Sequence, residues 1–123
     1  MKKKILIIED EKMIADLYKN KLIERGFDVY YTVSAEEGMR LSKKIRPDLI
    51  IFDILLTHEK GTDFLKRIMK DQETSSVPVI VLSNSDTAET KNEAMDLGAR
   101  EYLVKTNLSP DEILEKVNSY LNE

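Results

Sequence analysis

The sequence contains no cysteine, which excludes disulfides, thiol nucleophiles and thiolate metal sites. It has a single histidine, His58, in a polar loop with no second histidine to join it. A lone imidazole there reads as an exposed side chain rather than a metal ligand or phosphodonor. Long apolar runs are also missing. Ile5 to Ile8, after the amino-terminal lysines, is far too short for a signal peptide or a spanning helix, so no membrane association and a cytoplasmic location are expected. An excess of basic charge is missing as well. The net charge is −4 and no basic stripe appears beyond Lys2-Lys3-Lys4, which argues against direct nucleic-acid binding. Those lysines precede a strand and read as solubilising the terminus. Repeats, low-complexity segments and internal linkers are absent too.

What remains reads as one domain over residues 1–123, long enough for a proper core. A composition of 41% hydrophobic and 34% charged residues argues against disorder. The most telling stretch is Asp48-Leu49-Ile50-Ile51-Phe52-Asp53, a short β-prone run that ends on a carboxylate. Its length suits a strand buried on both faces.

The same pattern recurs along the chain. Ile5-Leu6-Ile7-Ile8 is a first buried strand ending in three acids, Glu9-Asp10-Glu11. Met13, Ile14, Leu17, Tyr18 and Leu22 come next at helical spacing, and Gly26 stops that helix. Val29-Tyr30-Tyr31 reads as a second strand. Ser34 and Glu37 form a capping box for a helix that Pro47 prevents from continuing. After Asp53 comes the loop Thr57-His58-Glu59-Lys60-Gly61, then a helix burying Phe64, Leu65, Ile68 and Met69. Pro78 opens a fourth strand that ends at Ser83. A weakly apolar helix from Thr87 to Leu97 offers only Ala88, Ala94, Met95 and Leu97, and Gly98 ends it. Glu101-Tyr102-Leu103-Val104 is a fifth strand running into Lys105. Ser109-Pro110-Asp111-Glu112 opens a last helix, with a cap, proline at the first helical position and acids at the positive dipole end. Five strand–helix pairs imply an α/β fold, a doubly wound, mostly parallel sheet with helices on both faces.

In such folds ligands bind at the carboxyl ends of the strands. There the sequence puts Glu9 and Asp10, Asp53, Ser83 and Lys105. Each has a plain reading alone: Glu9 or Asp10 as a helix cap, Asp53 as a loop acid, Ser83 as a strand-end serine, Lys105 as a solvated lysine. Those readings predict no coincidence at four strand ends. Clustered carboxylates call for a divalent cation or raised pKa values. Oxygen-only ligands favour Mg2+. A lysine and a hydroxyl beside them suit the oxygens of a phosphoryl group, with Asp53 as the nucleophile that becomes an aspartyl-phosphate.

Over nearly its whole length the chain resembles the receiver domain of two-component response regulators, of the single-domain, stand-alone type. The matching pieces are Lys4-Ile-Leu-Ile-Ile-Glu-Asp-Glu11, Pro47-Asp-Leu-Ile-Ile-Phe-Asp53, Gly61, Pro78-Val-Ile-Val-Leu-Ser83 and Gly98-Ala-Arg-Glu-Tyr-Leu-Val-Lys105. The resemblance implies a flavodoxin-like, five-stranded parallel sheet of order 2-1-3-4-5 with five helices. It makes Asp53 the phosphoacceptor and Glu9 and Asp10 the acidic pair for Mg2+, with the backbone carbonyl of Leu55 completing the protein ligands. It makes Ser83 the hydroxyl that moves to the phosphoryl group, Tyr102 the aromatic switch and Lys105 the phosphate-pairing lysine. It implies a sensor histidine kinase or histidine phosphotransfer protein as donor. The downstream protein target is expected on the face of the fourth helix, fifth strand and fifth helix.

Three positions depart from the family pattern. Thr57 and Thr106 stand where proline is usual, and Asn84 where Ala or Gly is usual. A cis bond before a non-proline costs about 2.5–4 kcal/mol, so a trans Lys105–Thr106 bond and a reshaped loop after it are expected. Leu55 lacks the second acid that an aspartyl-phosphate phosphohydrolase would use, and the presence of Glu9, Asp10, Asp53 and Lys105 argues against a degenerate, binding-only receiver. The alternative is a receiver fragment of a larger regulator or hybrid kinase. Met1 directly before the first strand favours a natural start, while the end at Glu123 is silent.

Overall fold

β-Branched and leucine side chains run without interruption through the central strands, and the computed structural model buries them on both sides of one sheet. It describes residues 2–54, 61–84 and 87–121. Within these, the strands are β1 (Lys4–Ile8), β2 (Asp28–Thr32), β3 (Leu49–Asp53), β4 (Val79–Ser83) and β5 (Glu101–Val104). They alternate with α1 (Lys12–Glu24), α2 (Ala35–Ile45), α3 (Gly61–Lys70), α4 (Ala88–Asp96) and α5 (Pro110–Leu121). Every strand pairing is parallel and the order is β2-β1-β3-β4-β5, as the sequence implied.

Successive side chains on a strand point to opposite faces, and the two cores sort accordingly. Leu6, Ile8, Ile50, Phe52, Val79 and Val81 pack against α2, α3 and α4, with Phe52 and Phe64 rings 4.7 Å apart. Ile5, Ile7, Leu49, Ile51, Ile80 and Leu82 pack against α1 and α5. Every residue of β3 and β4 is buried. Each large side chain so buried contributes roughly 1.5–3 kcal/mol, which makes these strands a rigid platform for the groups at their ends.

The helices refine the sequence reading. In α1 the buried residues are Ala15, Tyr18 and Leu22, while Met13 and Leu17 are exposed. Apolar spacing marks two adjacent stripes there, and the small Ala15 decides which one meets the sheet. In α4 only Ala94 is buried, with Ala88 and Met95 exposed. Met69 is half-buried rather than core. At Ser34 the hydroxyl does accept the Glu37 N–H at 3.1 Å, but the Glu37 carboxylate turns to Arg40 instead of reaching back. The reciprocal capping box forms at α5, where Ser109 Oγ accepts the Glu112 N–H (3.2 Å) and Glu112 Oε1 accepts the Ser109 N–H (3.0 Å). Gly26 (φ +93) and Gly98 (φ +112) take the left-handed conformation just past α1 and α4, as helix-ending glycines do. No described peptide bond is cis, Lys105–Thr106 included.

One glycine governs how close α3 comes to the sheet end. A Cβ on Gly61 would lie 2.1 Å from the carbonyl oxygen of Ile54, the residue after Asp53. Backbone cannot yield there as a flexible side chain would. Gly61→Ala is therefore expected to destabilise the protein by about 1–3 kcal/mol, read as a lowered urea midpoint. A midpoint equal to that of the unsubstituted protein would contradict this packing.

Candidate functional site

Backbone ladders continue past the strands and fix the first residue of each loop beyond them. The Glu9 N–H donates to the Thr32 carbonyl (3.1 Å), the Ile54 N–H to Leu82 (3.2 Å) and the Lys105 N–H to Ser83 (2.8 Å). Parallel register puts Asp53 opposite Leu82, and Ser83 opposite Val104. Glu9, Asp53, Ser83 and Lys105 thus lie on neighbouring strand ends at the same edge of the sheet.

Lys105 ties two of them together. Its Nζ donates to Glu9 Oε2 at 2.8 Å and to Asp53 Oδ2 at 3.0 Å. All three side chains are at least 93% withdrawn from solvent. The trio sets two buried carboxylates against one ammonium. Burial pushes the Glu9 carboxyl up; the Lys105 hydrogen bond opposes this and the Asp53 charge adds to it, leaving Glu9 at about 7. For Lys105, burial acts to lower the pKa, but the Glu9 hydrogen bond and the Asp53 charge outweigh it and hold the ammonium above the ordinary lysine range.

The acidic set is wider than the pair expected. Ligand oxygens of Glu9, Asp10, Glu11 and Asp53 all lie within 4.8 Å of one another. The N-cap residue of α1 is Glu11, whose side chain makes no capping hydrogen bond, and the first turn of the helix contains no acid. Clustered carboxylates repel, and the raised Glu9 pKa records burial first and the Asp53 charge after it. An oxygen-only donor set of this charge fits a hard divalent cation such as Mg2+.

Ser83 is fully buried at the end of β4. Tyr102 is buried with Ala94 and Ala99 on the α4 side of the sheet. Leu55, Thr57 and His58 fall outside the described residues. Two tyrosines that helical and strand spacing presented as packing residues approach the site. Burial raises the Tyr18 phenol, with Lys105 opposing and Glu9 and Asp53 adding. Tyr31 has a buried hydroxyl without a hydrogen-bond partner and is raised by burial and by Glu9, Asp16 and Asp10. Their sequence signal, apolar periodicity, hides the polar tip.

The Glu9 shift makes stability depend on pH. Its folded pKa lies above its unfolded value, so its contribution is complete below about pH 4.5 and is lost as pH rises through about 7. In chelator, the protein is expected to lose on the order of 2 kcal/mol between pH 5 and 8, and Glu9→Gln to flatten that slope. Urea unfolding at several pH values measures it; a slope that survives in Glu9→Gln would contradict the assignment.

Comparison with known proteins agrees with this geometry. The family model described as "Response regulator receiver domain" matches residues 5–118. Over 118 residues the chain is 33% identical to the DNA-binding dual master transcriptional regulator RpaA of Synechocystis, covering 96% of this chain and 48% of that protein. The chain thus spans about half the length of that relative. Among solved structures, a CheY-like response regulator receiver domain protein from Methanospirillum hungatei matches at TM-score 0.90 and 28% identity, over 99% of this chain and 95% of the other. The chemotaxis response regulator CheY4 of Vibrio cholerae matches at TM-score 0.89 and 25% identity, over 98% of this chain and all of the other. With its sheet order and the family match over 5–118, the chain belongs to the response regulator receiver domains of two-component signalling.

Proposed function

We propose that this chain is a phosphorylation switch in which Asp53 takes a phosphoryl group from a phosphohistidine of a sensor histidine kinase or a histidine phosphotransfer protein. Receiver domains of this family interact with such donors and act as signalling switches rather than metabolic enzymes. The observation that carries the reading is the buried Lys105 shared between Glu9 and Asp53 within a cluster of four acids.

Asp53 Oδ attacks phosphorus, the P–N bond to the donor imidazole breaks, and the departing nitrogen retains the bonding pair and takes up a proton. Glu9, Asp10 and Asp53, with the Leu55 carbonyl, would hold Mg2+, which when bound supplies charge neutralisation for the phosphoryl oxygens. Lys105 already reaches the Asp53 carboxylate, so its ammonium can follow the new charge onto a phosphoryl oxygen. Ser83, on the next strand end, supplies a hydroxyl donor, and Tyr102 is the aromatic residue whose packing under α4 answers to Ser83. The chain catalyses only its own phosphorylation and dephosphorylation.

The output passes through α4, β5 and α5. With Ala94 as its one buried residue, α4 is the least anchored helix, and elements that shift come from the low-stability end of a fold. The downstream partner is a protein that reads this face, with no direct nucleic-acid contact by the domain. No helix among the described residues is long and apolar enough to cross a membrane, in keeping with a cytoplasmic partner.

Acetyl phosphate with Mg2+ followed by intact mass tests the reading. A gain of ~80 Da is expected for the unsubstituted protein and none for Asp53→Asn. A missing gain in the former, or a gain that persists in the latter, would remove Asp53 as acceptor.

A further inference from the structure

We infer that Tyr18 is a positioning residue for Lys105: its hydroxyl meets the pocket from the α1 side and accepts the third N–H of the ammonium once Asp53 carries a phosphoryl group. The inference rests on the proposed phosphorylation of Asp53 and adds a residue that acts through Lys105.

Strand alternation puts the trio on one face of the sheet. Ile7, Ile51 and Leu103 belong to the core packed against α1 and α5, and so does Tyr18. Glu9, Asp53 and Lys105 each stand two residues further along the same strands, and the ladders continue through the Glu9 and Lys105 N–H groups. Their side chains therefore leave the sheet on the α1 and α5 side, just beyond that apolar row. α1 starts at this end of the sheet and runs back to the other, where β2 begins beside Lys4. Side chains on a helix lean toward its N-terminus, so the Tyr18 ring leans toward the strand ends that carry the trio.

Packing does not account for the phenol oxygen. Tyr18 shares the buried stripe of α1 with Ala15 and Leu22 and is 5% exposed. A phenylalanine would fill that place equally well. A tyrosine so enclosed ordinarily gives its hydroxyl a hydrogen-bond partner, yet among the described residues none holds that of Tyr18. The charges around it are those of the trio. Burial raises the phenol, Lys105 opposes the rise, and Glu9 and Asp53 add to it. Lys105 has three N–H donors, and Glu9 and Asp53 take two of them. A phosphoryl group on Asp53 draws the ammonium toward its oxygens. The phenol oxygen can then receive the remaining N–H and fix Nζ, so that the ammonium is held ready for the charge that develops during transfer.

Phosphorylation by acetyl phosphate, followed by intact mass over a series of Mg2+ concentrations, tests the role in Tyr18→Phe, which removes one oxygen and keeps the ring. The maximal rate is expected to fall about three- to tenfold, as loss of one hydrogen bond should, while half-saturating Mg2+ and the urea midpoint stay those of the unsubstituted protein. Leu22→Val, one turn along the same stripe, lowers the urea midpoint and leaves the rate unchanged. In a Lys105→Met background Tyr18→Phe has no further effect, because the hydroxyl acts through the ammonium. An unchanged rate in Tyr18→Phe overturns the role. The same loss in the Lys105→Met background overturns it as well, and so does an equal loss in Leu22→Val, which reduces the effect to packing. Should Lys105→Met fail to fold, the contrast between Tyr18→Phe and Leu22→Val decides. If the unsubstituted protein gains no phosphoryl group, the proposed function falls and this inference falls with it.

Discussion

A buried ammonium shared by two carboxylates is the interaction on which this protein turns. Lys105 sits 2.8 Å from Glu9 and 3.0 Å from Asp53, and the three groups come from the ends of β5, β1 and β3. Such a trio adds little to stability, since desolvating its members costs about as much as their attraction returns. Its value is chemical. It holds the Asp53 carboxylate in a fixed orientation at the strand ends. Burial first, with the Asp53 charge adding to it, pushes the Glu9 carboxyl up to about 7, and a divalent cation nearby would favour its ionised form.

The hydrophobic core exists, in functional terms, to hold those strand ends in register. Ile5 to Ile8, Leu49 to Phe52 and Val79 to Leu82 are all buried, and parallel pairing carries each backbone one residue past its strand before the chain leaves the sheet. A slip of one residue would reverse the faces of every side chain and separate Glu9, Asp53 and Lys105 together. Gly61, pressed against the Ile54 carbonyl, closes the same end from the α3 side. The other end of the sheet carries ordinary stapling, with the Lys4 N–H donating to Asp48 Oδ2 at 2.8 Å.

Much of this was legible in the sequence because the pattern was redundant. Four apolar runs each ended on a polar residue, two of them carboxylates, one a hydroxyl and one an ammonium, and an alternating strand–helix order sends such ends to one edge. Sheet order itself came from the family resemblance, since alternation alone does not choose it. What stayed hidden depended on choices between equivalent local options. Met13 and Leu17 have the same spacing as a buried stripe, and only packing against the sheet selects Ala15, Tyr18 and Leu22. Ser34-Glu37 and Ser109-Glu112 are both capping-box sequences, but Arg40 captures Glu37 while nothing competes for Glu112. Glu11 read as one of three consecutive acids, and its turn toward the pocket rather than the helix end is a side-chain decision that spacing does not encode.

The strand ends and α4 are also unequal in firmness. Strands β3 and β4 are buried throughout, while α4 is held by Ala94 with half-buried Leu97 beside it. A charge change at Asp53 therefore meets a rigid floor and a loosely seated neighbour, which is the arrangement a switch needs. The most direct test of the central claim is Mg2+-dependent formation of a beryllofluoride adduct, a phosphoryl mimic on a carboxylate, monitored by fluorine NMR. The account predicts a bound fluorine signal that requires Mg2+ and vanishes in Asp53→Asn. No bound signal in the unsubstituted protein with Mg2+, or one that persists in Asp53→Asn, would contradict it.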